Sequence, residues 1–208
     1  MPIDIPPAPT QSIDALRSAF ASLIDRPALA RIAPRLAAAL DNPSAAIALT
    51  PILSYRVYNL GLSDVASGEI DDLRVAKPAG WRHALSSNGE IITVDVSSDQ
   101  AGSNHKFAAL SSNPSAAQVQ DEIQALHRDR GIAHASYEFS LLQIPAMAVK
   151  AIWLHDPSGK SPDILIPVAP VRRELVAGRK YQIAEFINAL RDSAARILSA
   201  DSPGKGSA

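Results

Sequence analysis

Residues 137–168 carry three apolar runs in close succession: YEFSLLQI, a proline at 145, AMAVKAIWLHD, the polar loop PSGKSP, and DILIPV. Runs this short, rich in aromatic and β-branched residues and separated by a proline turn and a short loop, read as a three-strand antiparallel meander. Side chains alternate across a strand, so Phe139 and Leu141 lie on one face of the first strand and Leu142 and Ile144 on the other. In the second strand Val149 and Trp153 stand opposite Ile152 and Leu154. Strands that are apolar on both faces belong inside a sheet that is covered on both sides. Pro167 cannot donate a ladder hydrogen bond, so the third strand lies at an edge or ends there.

The covering material is legible on either side of the meander. Asn113-Pro114 is a helix start, and Ala116, Val119, Ile123 and Leu126 make a narrow apolar stripe over a predicted helix at 114–130 that stops near Gly131. Ile183, Phe186, Ile187, Leu190, Ala194, Ile197 and Leu198 predict a second helix over 182–199. Upstream, WRHALSS, the turn dipeptide Asn88-Gly89 and EIITVDVS predict a hairpin, with Ile92, Val94 and Val96 on its buried face and Thr93, Asp95 and Ser97 on its polar one. A further strand is expected over 106–110. Between 44 and 80 the pattern is poor, with an extended segment suggested at 55–60.

The N-terminal 40 residues read differently. Residues 1–11, with four prolines, are expected to be a flexible leader. Ile13, Leu16, Phe20, Leu23 and Ile24, then Leu29, Ile32, Leu36 and Leu40, recur at helical spacing and predict a pair of amphipathic helices in a segment spanning 12–41, the second broken by Pro34 near Ala33. The expected organisation is therefore leader, helical segment at 12–41, α+β domain at 44–199, and a small polar disordered tail at 200–208. The expected fold is α+β, a mainly antiparallel sheet of five or six strands covered by helices, with the N-terminal amphipathic pair packed on it or on a partner.

Composition mainly excludes. A net charge of -1 gives no pull toward nucleic acid or anionic membranes. The chain has no cysteine, so disulfides, thiolate metal sites and a cysteine nucleophile are ruled out. MPIDIPPAPTQSID lacks a basic start and an apolar core, and no run nears the roughly 18 apolar residues of a membrane span, so a soluble cytoplasmic protein is expected. Metal-ligand spacings, phosphate loops and the serine elbow are absent, and no cofactor is expected.

What packing does not explain is a short set of side chains. His155 closes the long strand on the face of Trp153, where it can serve as a base or ligand contact, or simply cap the core. Lys150 lies with Ile152 and Leu154 on an otherwise apolar face, where desolvation would make it a weaker base, unless its stem packs and its amine reaches water. Arg172, Arg173, Arg179 and Lys180 gather four cations before the last helix, an anion or acidic-partner site or a linker balanced by Glu174. Trp81, after a proline and glycine, is a binding anchor or a core residue.

Two functional readings follow. The first is a non-enzymatic interaction or assembly protein that binds a protein partner or itself, with no nucleic acid and no membrane. The alternative is a small enzyme or ligand-binding domain whose site assembles around the end of the 147–156 strand. They separate on whether Trp153, His155, Lys150 and the 172–180 cations converge on one concavity.

Overall fold

A computed structural model of the 208-residue chain describes residues 3–22, 26–32, 34, 37–38, 50–87, 90–99, 101–112, 115–129, 131–132 and 136–201. In chain order the elements are β1 (Ile3–Asp4), α1 (Thr10–Ser22), α2 (Arg26–Ile32), β2 (Leu53–Asn59), α3 (Leu62–Ser67), β3 (Lys77–Ser87), β4 (Glu90–Ser97), β5 (Lys106–Ser111), α4 (Ser115–Arg128), β6 (Tyr137–Ile144), β7 (Val149–His155), β8 (Ile164–Pro167) and α5 (Ile183–Asp201). The strands form one sheet in the order β5-β4-β3-β2-β6-β7-β8, with β1 also paired to β6. Neighbours are antiparallel except that β2 and β1 both run parallel to β6.

The expected meander forms one end of this sheet rather than its centre, and its first two strands are covered on both faces. Leu142, Ile144, Val149, Ala151 and Trp153 are buried beneath α3 and α5, which contribute Val65, Phe186, Ile187 and Leu190 to the same core. Phe139, Leu141, Ile152 and Leu154 are buried on the other face against Val119, Ile123 and Leu126 of α4. The twofold apolar alternation of β6 and β7 thus serves two helical layers at once. β8 ends at Pro167 and is the last strand in the order, its outer side meeting Tyr181 in a single antiparallel bridge to Leu165.

The sheet is larger than the expected five or six strands, having eight among the described residues, and it is mixed. Two strands come from outside the expected hairpins, and one of them, β2, takes up the extended segment suggested at 55–60. β2 carries Ser54, Arg56 and Asn59 among its apolar residues, and tertiary partners compensate two of these: Ser54 bonds His83, and Arg56 lies over the Trp81 ring. β1 lies in the segment expected to be a flexible leader. Ile3 is buried and pairs with Tyr137, while Pro6 and Pro7, which have no N–H to donate, follow closely.

The N-terminal amphipathic pair is also corrected. α1 docks through Leu16 and Phe20 on Leu85, Ile92, Val94 and Val96, so it shares a core with the sheet, and α2, only 7 residues long, adds Leu29 to the same core. A hydrogen-bonded pin fixes α1 there: buried His83 of β3 bonds Ser12 Oγ through Nε2 at 2.8 Å and Ser54 Oγ through Nδ1 at 2.9 Å. Leu23, Ile24, Ala33, Leu36 and Leu40, the turn at 88–89, the helix start at 113–114 and the tail from 202 lie outside the described residues. Among the described residues, no helix is long and apolar enough to cross a membrane.

Candidate functional site

The end of β7 forms one wall of a cleft of about 840 Å³. Strand alternation puts Trp153 and His155 on the same face, and the turn after β7 brings Asp163 back beside them just before β8 begins. Asp163 holds both rings. Trp153 Nε1 donates to Asp163 Oδ2 at 2.8 Å, and His155 Nδ1 lies 2.9 Å from Asp163 Oδ1. A carboxylate can only accept, so Nδ1 carries a proton, and in the neutral imidazole Nε2 is the nitrogen with the lone pair. The His155 side chain is 45% exposed while that of Asp163 is 12% exposed, so the orienting group is sheltered and the oriented one is open to a ligand.

Tyr58 of β2 completes the aromatic wall. Its ring meets Trp153 edge-on at 5.1 Å between centroids, and Trp153 and His155 are 5.6 Å apart. The opposite side comes from the turn at 71–76 and the start of α5. Within that turn Asp72 accepts from the backbone and guanidinium of Arg74. The loop after β7 is built on Asp156, which accepts from the amide and hydroxyl of Ser158 and the amide of Ser161. Those hydrogen bonds, Ser158 first, bring its carboxyl down to about 2, so the loop keeps its shape and its negative charge through mild acid. The arrangement can do two things chemically: bind a planar or apolar group against the rings, and accept a proton or hydrogen bond at Nε2.

The other predicted residues do not join this cleft. Lys150 is on the α4 face, in a narrow crevice with Tyr55, Arg82 and Leu141. Burial first, and then neighbouring Arg82, lowers its pKa, with Asp95 opposing. Arg82 itself forks onto Asp95 at 2.6 and 2.7 Å, and burial pushes the Tyr55 hydroxyl up to about 12.

The cations at 172–180 are matched by acids: Arg172 and Arg173 by Glu174, Arg179 by Glu185, and Lys180 by Asp129. Glu174 also accepts from the buried Ser193 hydroxyl, the leading cause of its lowered pKa. Trp81 is buried, with the Arg56 guanidinium 5.5 Å from its ring centroid, so it is not a protruding anchor. The convergence expected of the alternative reading therefore holds for Trp153 and His155 and fails for Lys150 and the cations.

Asp163 and Tyr58 are the cleft residues that strand patterning passes over. Asp163 carries no signal of its own in the alternation: it stands just before β8, and only the β7–β8 register, which ends at Leu154–Ile164, brings it beside His155. Among the described residues no group of three or more His, Cys, Asp or Glu is placed to hold a metal ion. The chain matches no protein-family model, no curated protein and no solved structure.

Proposed function

We propose that this chain is a binding protein whose ligand seats in the cleft at the end of β7. The observation that carries the reading is the double use of Asp163, whose two oxygens fix the Trp153 indole and the His155 tautomer before any ligand arrives. Ordering two rings in advance removes part of the entropy cost of binding. A wall of Tyr58 and Trp153 then supplies contact area, and His155 Nε2 supplies one directed polar contact.

A fragment screen by thermal shift, repeated on His155→Ala and Asp163→Asn, tests this. Hits on the wild type that weaken at least about tenfold in both variants support it, about the worth of one well-placed hydrogen bond. Hits indifferent to both variants would sink it.

Assembly is the second reading, and β5 favours it. This strand closes one side of the sheet order, and its residues are exposed or half-buried, so among the described residues its outer edge has no strand partner and can pair with another copy. Light scattering compares the wild type with Ala109→Pro. A wild-type dimer that dissociates in the variant supports pairing through β5, and a wild-type monomer removes this reading.

A further inference from the structure

A second concavity lies on the α4 face of the sheet, away from the cleft, and its construction is unusual. Two β-bulges meet there. Between β2 and β3 the register jumps after Val57–Gly80 to Tyr58–Pro78, leaving Ala79 extra. Between β4 and β5 it jumps from Asp95–Ala109 to Val96–Phe107, leaving Ala108 extra. Both extra residues, with Gly80 between the strands, line a recess of about 150 Å³. Gly80 has φ +138°, and a Cβ on it would stand 2.0 Å from the Val96 carbonyl oxygen, so no side chain can fill the space from that position. Bulges of this kind often stand beside functional sites.

The polar groups of the recess are incomplete. Asn59 and Gln143 are register partners on β2 and β6 and both line it. Asn59 Oδ1 and Gln143 Nε2 are buried and have no hydrogen-bond partner among the described residues. Of the other polar lining residues, Asp95 has both oxygens engaged by Arg82, and the Ser97 hydroxyl donates to the Lys106 carbonyl. Native interiors pair nearly all such atoms, and one missing partner costs stability. What is missing here is one donor and one acceptor, at two residues paired in register. The last torsion of Asn and Gln is soft, so either amide can turn to the recess at little cost.

We propose that this recess binds a small ligand through a cis-amide edge, its N–H donating to Asn59 Oδ1 and its C=O accepting from Gln143 Nε2. The volume lies below the roughly 300 Å³ at which drug-sized pockets begin, so a single small ring is the fitting size.

The probe is 2-pyrrolidinone, titrated against the full chain while the Asn59 and Gln143 side-chain amide resonances are followed, with N-methyl-2-pyrrolidinone as the analogue that lacks the donor. The expected result is saturable shifts with a Kd on the order of millimolar, as so few atoms support, weakened at least about tenfold by N-methylation and by Gln143→Met. Unliganded Gln143→Met and Asn59→Leu should melt at higher temperature than the wild type, because each removes an unpaired buried atom. Equal binding of the two lactams, no saturation at concentrations on the order of 100 mM, or lower melting of both variants would overturn the proposal.

Discussion

His83 is sealed between α1 and β2, and replacing it with glutamine isolates what its burial contributes. Burial moves the imidazole from 6.5 down to about 4, with His105 adding to the effect and Asp95 opposing it. Between those values the unfolded chain binds a proton that the folded chain refuses, so stability falls as the pH drops. The contribution is fully present above 6.5 and exhausted near 4. A tenfold change in proton affinity is about 1.4 kcal/mol, so the drop from 6.5 to about 4 corresponds to about 3 kcal/mol, a large share of the roughly 5–15 kcal/mol that holds an ordinary domain together.

Glutamine can still bond both Ser12 and Ser54 but does not ionise. Urea unfolding followed by tryptophan fluorescence, run on both proteins across this window, gives the comparison; carboxylate effects are shared and cancel. The wild type should lose about 3 kcal/mol relative to His83→Gln on going from neutral pH to about 4. A difference between the two that stays constant across the window would refute the reasoning.

Asp163→Asn leaves one acceptor for two donors. With the amide oxygen kept by Trp153, His155 must become an acceptor at Nδ1 and carry its proton on Nε2, a change of tautomer visible in long-range proton–nitrogen spectra. The same variant should lose about 1–2 kcal/mol in urea unfolding, as expected for a charge-assisted pair made neutral. Gly80→Ala should cost about 3 kcal/mol or more, or fail to fold, because its φ of +138° is unfavourable for alanine and the added carbon meets the Val96 carbonyl. Circular dichroism on the purified variant checks this, and wild-type stability would show that the β3–β4 contact is looser than described.

The legible part of the molecule was the part in which packing alone selects residues. β6 and β7 touch helices on both faces, so nearly every position had to be apolar and the pattern was plain. α4 and α5 have one buried stripe each, and the 3.6-residue period revealed them; Leu198, on the predicted stripe, is nonetheless 37% exposed near the end of α5. β2 showed only as a suggested extended segment at 55–60, because its polar residues are compensated by groups distant in sequence, His83 for Ser54 and Trp81 for Arg56.

The candidate site divides in the same way. Alternation placed Trp153 with His155 and Lys150 on the opposite face, as observed. It could not supply Asp163, whose role depends on a hairpin register, or Tyr58, which arrives from a strand paired parallel to β6.

The chain contains two tryptophans, and they sit in different surroundings: Trp153 lines the cleft and Trp81 lies buried beneath Arg56. Their two indole N–H resonances therefore report ligand position directly. Ligands recovered by screening should move the Trp153 resonance, leave that of Trp81 in place, and lose this effect in His155→Ala. Ligands that shift Trp81 instead, or bind and move neither, would contradict a binding cleft at the end of β7.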